Sequence, residues 1–455
     1  MARAGAARGE IQMTEGSLWK NILIFSIPLV FSQLLQVMFN MADVAVVGKF
    51  ASDTALGSVG STSTLVTLFT GFLIGMGNGV NVRVAQHLGA QHREETSRAV
   101  HTAFLLCLLA GVGIMALCLA LAANMLEMLH TKDDLLPGAV LYFRIYALGM
   151  PALGVFNFGN AVLSANGDTK RPLLYLTIAG ILNVILNLFF VIACRMAADG
   201  VALASVISQY VSAILVVWHM MRLNDACKFL FRELRFHGDE VGRILGLGVP
   251  AGIQHMIFAI ANLFIQAAVN SFDSTMVSGN AAAANTDTII YNIMMAFYTA
   301  CSTFMGQNWG AGHKKRMMDS YLISLFYAFA VAAVLGVAFY FAGRPFLYVF
   351  TNSADVVEAG MQRMKIMCFS YAISAFMDNT IAACRGLGRT IVPTVVVIMG
   401  SCVFRVIWVY TIFAHYHTIP SLYLLYAFSW TITAAAEIVY FLHCFRKLRL
   451  VPETA

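Results

Sequence analysis

The sequence predicts an all-α membrane protein of about twelve transmembrane helices, arranged as two six-helix lobes related by an internal repeat. Three observations predict it. The 455-residue chain is 59% hydrophobic and only 11% charged, whereas a soluble domain carries roughly 25% charged residues. Apolar runs long enough to cross a bilayer, about 20 residues each, recur along the whole length. Short motifs in the first half return in the second at a nearly constant offset.

The expected spans are 18–45, 56–86, 98–124, 136–164, 172–194, 199–222, 241–270, 277–306, 317–342, 357–384, 391–413 and 419–445. The first apolar run is too long for a signal-peptide core and has no small-residue cleavage site behind it, so it is expected to stay as a membrane helix. The longest polar connection, 222–243, sits at the middle. The expected division is an amino-terminal lobe over 1–222, a linker over 223–240 and a carboxyl-terminal lobe over 241–455. The 35 glycines suit closely packed membrane helices.

Charge narrows the class further. The net charge of +6 is dispersed among loops, which argues against a nucleic-acid partner. The amino-terminal tail, the even-numbered connections and the carboxyl-terminal tail hold most of the 29 Lys and Arg, from Arg3 and Arg8 to Arg449. The odd connections hold Lys49, Lys132, Arg195 and Arg344. This bias places both termini in the cytoplasm. The nine cysteines form no Cys-x-x-Cys pair and mostly lie in apolar runs, so they read as packing residues.

Three pairs of segments carry the repeat. "SIPLVFSQ" (26–33) matches "GVPAGIQH" (248–255), "QHLGAQHRE" (86–94) matches "QNWGAGHKK" (307–315), and "ANGDTKRP" (165–172) matches "GLGRTIVP" (386–393). Each half holds six spans, so the halves share a topology, as parallel repeats do in some transporters. Two such lobes with a cleft between them suit alternating access.

Polar residues inside the spans mark candidate sites. On the first helix Ser26, Gln33, Gln36, Asn40 and Asp43 fall within about 100° of arc at 100° per residue. Such a stripe must face protein or a water-filled cavity, because polar groups in hydrocarbon need partners. Asp43 either belongs to that inward face or meets headgroups and Lys49 near the outer surface. On the seventh helix His255, Asn262 and Gln266 form a weaker stripe; Asn262 corresponds to Asn40, but the counterpart of Asp43 is Ile265. His255 is either a titratable group or a hydrogen-bonded structural one. Asn183 and Asn187 lie four residues apart on one face of the fifth span, as helix glue or as ligands for a cation or substrate. In the second half Asp378, Arg405 and Glu437 lie on successive spans and are expected to pair with one another, structurally or as a proton-linked network. Asp287 is a further isolated carboxylate.

These same stretches resemble a known family. "STFMGQNWGAGHKKR" (302–316), "IPLVFSQLLQVMFNMADVAVVGKF" (27–50), "VAQHLGAQHREE" (84–95) and "ACRGLGRTIVP" (383–393) resemble multidrug and toxic compound extrusion (MATE) transporters, in both halves and in order. The resemblance implies a V-shaped pair of six-helix bundles that exports amphipathic organic cations against an inward flow of Na⁺ or H⁺, with no further cofactor. Asp43 matches the family's first-helix acidic residue, and Asn183 matches the asparagine of an Asn-x-x-x-Asp motif whose acidic position is here Asn187. Ser205 stands where a threonine often lines the same pocket. Phe258 lies near the place of a glutamate used in one branch, and Asp378 lies close to, but out of register with, an acidic position of some relatives. The expected coupling site is therefore Asp43, Asn183, Asn187 and Ser205. Gln33, Gln36, Asn40, His255, Asn262 and Gln266 are expected to face the substrate. The expected partners are small organic cations and the lipid bilayer of the cell membrane, with the protein acting as a monomer.

Other classes fit less well. The chain lacks a Walker-type Gly-x-x-x-x-Gly-Lys-Ser/Thr, His-Glu-x-x-His and Gly-x-Gly-Asp, which argues against ATP drive and intramembrane hydrolysis. A flippase of lipid-linked sugars on a related scaffold is expected to carry extra helices and an Arg-rich cavity. A non-transporting receptor leaves the repeat and the internal polar stripes without a use.

Overall fold

A computed structural model describes residues 11–448. Arg3, Arg8 and Arg449, which contribute to the expected placement of the termini, lie outside the described residues. Helices α1 (Leu18–Phe50), α2 (Asp53–Gly89) and α3 (Arg93–Met128) are followed by the bent pair α4 (Leu136–Ala147) and α5 (Met150–Ala165), then α6 (Lys170–Leu188) and α7 (Ala198–Met221). The second half holds α8 (Gly238–Val269), α9 (Ser274–Gly310), α10 (Lys314–Phe341), the short α11 (Gly343–Leu347) and α12 (Ala354–Gly386). It ends with α13 (Ile391–Val397), α14 (Phe404–Trp408), α15 (Ala414–Tyr416) and α16 (Ile419–Arg446). Among the described residues eleven helical stretches are long and apolar enough to cross a membrane, and α4 with α5 makes a twelfth.

That twelfth span departs from the straight helix expected over 136–164. Its two halves bend by 44°. The cause is local: Pro151 has no N–H to donate, and the amides of Leu148 and Gly149 turn back to Ile145 and Tyr146 at 3.0 Å each. Two other spans are interrupted by π-helical turns, at Phe189–Ala193 after α6 and at Ile398–Val403 and Val409–Phe413 around α14.

The repeat is visible in backbone conformation. Gln91 and Gly312 both take positive φ (57° and 77°), as do Gly167 and Gly388 (89° and 78°) and Arg195 and His417 (53° and 39°). Each pair falls at the sequence offset of the repeat. The α2 helix closes through His92 N–H to His87 O at 3.1 Å, and α9 closes through His313 N–H to Asn308 O at 2.9 Å. Both are the six-to-one closure that a left-handed residue permits at a helix end. Side-chain caps also correspond: Ser52 accepts from the Ala55 amide and Asp273 from the Met276 amide.

The chain forms two compact units, one over Phe31–Met256 and the other over Met13–Val30 with the chain from Ile257 onward. The sequential division expected from the repeat keeps α1 and α8 whole, but the compact units take the opening part of each with the opposite half. Their grips differ chemically. In the first unit Arg83 of α2 holds Glu240 of α8 through Nε and Nη2, at 2.8 and 2.7 Å, and His87 Nε2 approaches the same carboxyl at 3.1 Å. Beside this cluster a Cβ at Gly79 would lie 2.6 Å from the Gly248 Cα, so the glycine lets two backbones touch. In the second unit Asn308 and Arg316 donate to the Met13 carbonyl at 3.2 and 3.1 Å, and Tyr327 donates to the Trp19 carbonyl at 3.2 Å. The connection between halves is also anchored. Phe229 is fully buried, with its ring 5.4 Å from His101 and 4.7 Å from Phe104, and the Leu230 amide donates to His101 Nε2 at 3.0 Å.

Replacing Arg83 with Met strands the buried Glu240 carboxylate, and is expected to cost about 3–5 kcal/mol of stability. Thermal unfolding in detergent should show a lower Tm, with partial recovery when Glu240→Gln is added. An unchanged Tm for Arg83→Met would mean that the pair contributes no stability.

Candidate functional site

Asp43 sits two turns before the end of α1, and α6 and α7 bring neutral polar groups to it. Asn187 Nδ2 donates to Asp43 Oδ1, and Ser205 Oγ donates to Asp43 Oδ2 at 3.4 Å. Asn187 Nδ2 also approaches Asn183 Oδ1 at 3.2 Å, and Asn183 Nδ2 donates to Ser205 Oγ at 3.3 Å. The i, i+4 spacing on α6 puts both amides on one face. Asn183, Asn187 and Ser205 are buried, and Asp43 is half-buried. All four coupling-site candidates therefore come together within one compact unit.

No ion pair involves Asp43 among the described residues, and Lys49, the surface alternative, is exposed. The carboxyl thus meets an amide and a hydroxyl, with no cation opposite. The Asn187 Oδ1 atom is buried without a hydrogen-bond partner. A carboxylate beside an unused amide oxygen is an acceptor-rich place, the chemistry that a hard cation or a proton satisfies. The π-helical turn Phe189–Ala193 begins two residues after Asn187. Such turns are frequent at functional sites.

Three residues beside this site were not singled out by sequence. Tyr142 and Tyr146 of α4 stack at 6.0 Å and pack in one apolar cluster with Val46 and Val47 of α1. Gln209 of α7 lies against Gly149, three residues after Tyr146, with its Oε1 buried and unpartnered. Gln209 lies four residues after Ser205, so the period of α7 was the available signal.

The expected substrate-facing stripes are dispersed. Ser26 is fully buried, Gln33 is half-buried, and Gln36 and Asn40 are exposed. Gln33, Gln36 and Asn40 lie in the first unit with Asp43 but take no part in its hydrogen bonds. His255 belongs to the first unit, where it lies against Gly71, whereas Asn262 and Gln266 belong to the second and are exposed. Gln266 donates to Asn270 at 2.9 Å.

The second unit corrects the expected charge network. Asp378, Arg405 and Glu437 do not pair with one another. Arg405 donates through Nε to Ser429 Oγ at 3.3 Å, and its guanidinium lies over the rings of Tyr426, Trp430 and Phe258 at 4.3, 5.5 and 5.6 Å. Aromatic faces substitute for a carboxylate here. Glu437 is fully buried with both carboxyl oxygens unpartnered, and Asp378 is half-buried. Asp287 is the carboxylate that does find a partner: Arg363 of α12 holds it through Nε at 3.1 Å and through Nη2, and also donates to the Tyr423 hydroxyl at 3.1 Å. The signal for Arg363 was present, since an arginine inside an expected span requires a polar partner.

Known proteins share this architecture. The MatE family profile matches residues 28–189 and again 250–411, so it finds the internal repeat as two copies. The chain is 28% identical over 358 residues to the probable multidrug resistance protein YpnP of Bacillus subtilis, covering 79% of this chain and 80% of that protein. It is 23% identical to an FAD transporter of Shewanella oneidensis, over 74% of this chain and 75% of that one. Among solved structures, a MOP superfamily transporter from Pyrococcus furiosus superposes with a TM-score of 0.90 at 20% identity, over 97% of this chain and 99% of that one. With its twelve candidate spans and the MatE profile matched in both halves, the chain belongs to the MatE family of multi-pass membrane transporters.

Proposed function

We propose that the protein is a secondary active exporter of amphipathic organic cations, driven by inward flow of Na⁺ or H⁺ through alternating access. The observation that carries this reading is the Asp43 carboxyl held by neutral donors, with the unpartnered Asn187 oxygen beside it. An arriving proton neutralises the carboxyl directly. An arriving Na⁺ takes the carboxylate and, after a half-turn of the Asn187 amide, its oxygen as well. The Na⁺ displaces the hydrogen bond that ties α1 to α6, and the proton weakens it by removing the charge from its acceptor, so either event changes the packing around Asp43. A ligand shifts a conformational equilibrium only by its differential affinity for the two states, and this change in packing supplies the difference. The reading also places the protein in the cell membrane as a monomer with both termini cytoplasmic.

A second reading, an organic anion as cargo, is favoured by one observation. Arg405 is buried with an unpartnered nitrogen among aromatic rings, and one relative is an FAD transporter. Proteoliposomes loaded with ethidium or with FAD separate the two readings.

In those vesicles, with Na⁺ and pH gradients imposed separately, Asp43→Asn is expected to lower gradient-driven ethidium efflux by roughly 5–150-fold, the usual range of a coupling free energy. Unchanged efflux would remove Asp43 from coupling, and no movement of ethidium under either gradient would end the organic-cation reading. Asn187→Asp places a second carboxylate beside the first and is expected to raise Na⁺ affinity about tenfold, because the charge of the ligand set tunes such sites. The Na⁺ dependence of efflux measures it, and an unaltered dependence would argue against a cation bound between these residues.

A further inference from the structure

Among the described residues of the second unit, the carboxyl group most thoroughly removed from water is Glu437 of α16. It is 0% exposed, and neither of its oxygens has a hydrogen-bond partner. An ionised carboxylate left so in a membrane interior is costly, whereas the neutral acid is far less so. Its surroundings are built rather than accidental. Ser429, Thr433 and Glu437 stand at i, i+4 and i+8, and so share one face of α16. Along that face Arg405 donates to Ser429 Oγ at 3.3 Å, and Ser401 from the π-helical turn Ile398–Val403 lies 3.1 Å from Thr433 Oγ1. Ser401, Ser429 and Thr433 are fully buried, so buried hydroxyls line this face of α16 from Arg405 toward Glu437 and stop short of a hydrogen bond to its carboxyl.

Titratable neighbours come from several elements. From α12 come Arg385 and Cys384. Arg385 donates to the Tyr298 hydroxyl. The turn at Ile398–Val403 contributes Cys402, α14 contributes Arg405, the turn at Val409–Phe413 contributes Tyr410, and α13 contributes none. Arg389 lies between α12 and α13, and on α16 itself Tyr440 and Cys444 follow Glu437. Basic side chains are thus near on the neighbouring elements, but none is paired with the Glu437 carboxyl.

We propose that Glu437 is a second proton-binding site, which carries its proton in the conformation described here and releases it in the alternate one. The group needs no ligand cavity, because the ligand is a proton. The proton is taken from water on the outer side and returned to water on the cytoplasmic side, leaving the carboxyl chemically unchanged over a cycle. This inference rests on the exporter reading above and adds to it a proton site separate from Asp43.

The test uses Glu437→Gln, which preserves size and the neutral form, with Glu437→Asp as the conservative variant. In proteoliposomes the Gln variant is expected to keep gradient-free ethidium exchange within about twofold of the native rate. It is expected to lose roughly tenfold of the pH-gradient-driven component, and Glu437→Asp should restore part of it. Unchanged pH-driven efflux and an unchanged pH profile would overturn the proposal. A readout independent of cargo is infrared difference spectroscopy of the purified protein across a pH step. The native chain should show a protonated-carboxyl signal that is missing from Glu437→Gln, and identical spectra would again overturn the proposal. If the native protein moves no ethidium under any gradient, the exporter reading fails, and the spectra still decide whether Glu437 binds a proton.

Discussion

A carboxylate placed inside a membrane helix must be satisfied by protein, and at Asp43 the protein satisfies it with neutral groups alone. Asn187 and Ser205 come from different helices, so a single side chain sets the register of α1 against both α6 and α7. A lysine or arginine in their place would form a more permanent lock. The amide and hydroxyl instead give a bond strong enough to order the site and weak enough for a small cation to replace. The orphaned Asn187 oxygen is the counterpart of that choice.

The two halves share a scaffold and differ in chemistry. Corresponding left-handed residues close corresponding helices in both, yet Asp43 corresponds to Ile265, and His87 corresponds to Asn308. His87 joins Arg83 on the Glu240 carboxyl at the opening of α8, while its counterpart Asn308 donates to the Met13 carbonyl just before α1. Duplication explains why the backbone solutions recur: a turn that ends one long helix cleanly ends its copy too. Side-chain chemistry is free to diverge because the helices bury enough apolar surface to hold either version.

Much of the architecture was legible in the sequence, because helix length and hydropathy answer directly to bilayer thickness. The break in the span over 136–164 was written there as Gly149 and Pro151, but a hydropathy count is blind to it. Asp43 and the three polar residues around it were legible from helical period and from resemblance to a family. Tyr142 and Tyr146 were not, because nothing in a linear pattern says which face of α4 meets α1. The charges of the second half were misjudged for a related reason. Their places on successive spans suggested that Asp378, Arg405 and Glu437 would pair, but aromatic rings surround Arg405, and Arg363 meets Asp287 instead.

The sequence by itself determined a helical membrane protein with a duplicated six-span plan and an acidic residue in its first helix. These follow from composition and period, properties that a chain carries before it folds. Only the tertiary structure decided which buried polar groups touch, which are left without partners, and which compact unit holds the openings of α1 and α8. The reason is geometric: a hydrogen bond depends on placing atoms from distant segments within about 3 Å, and that placement is a product of helix packing rather than of any one helix.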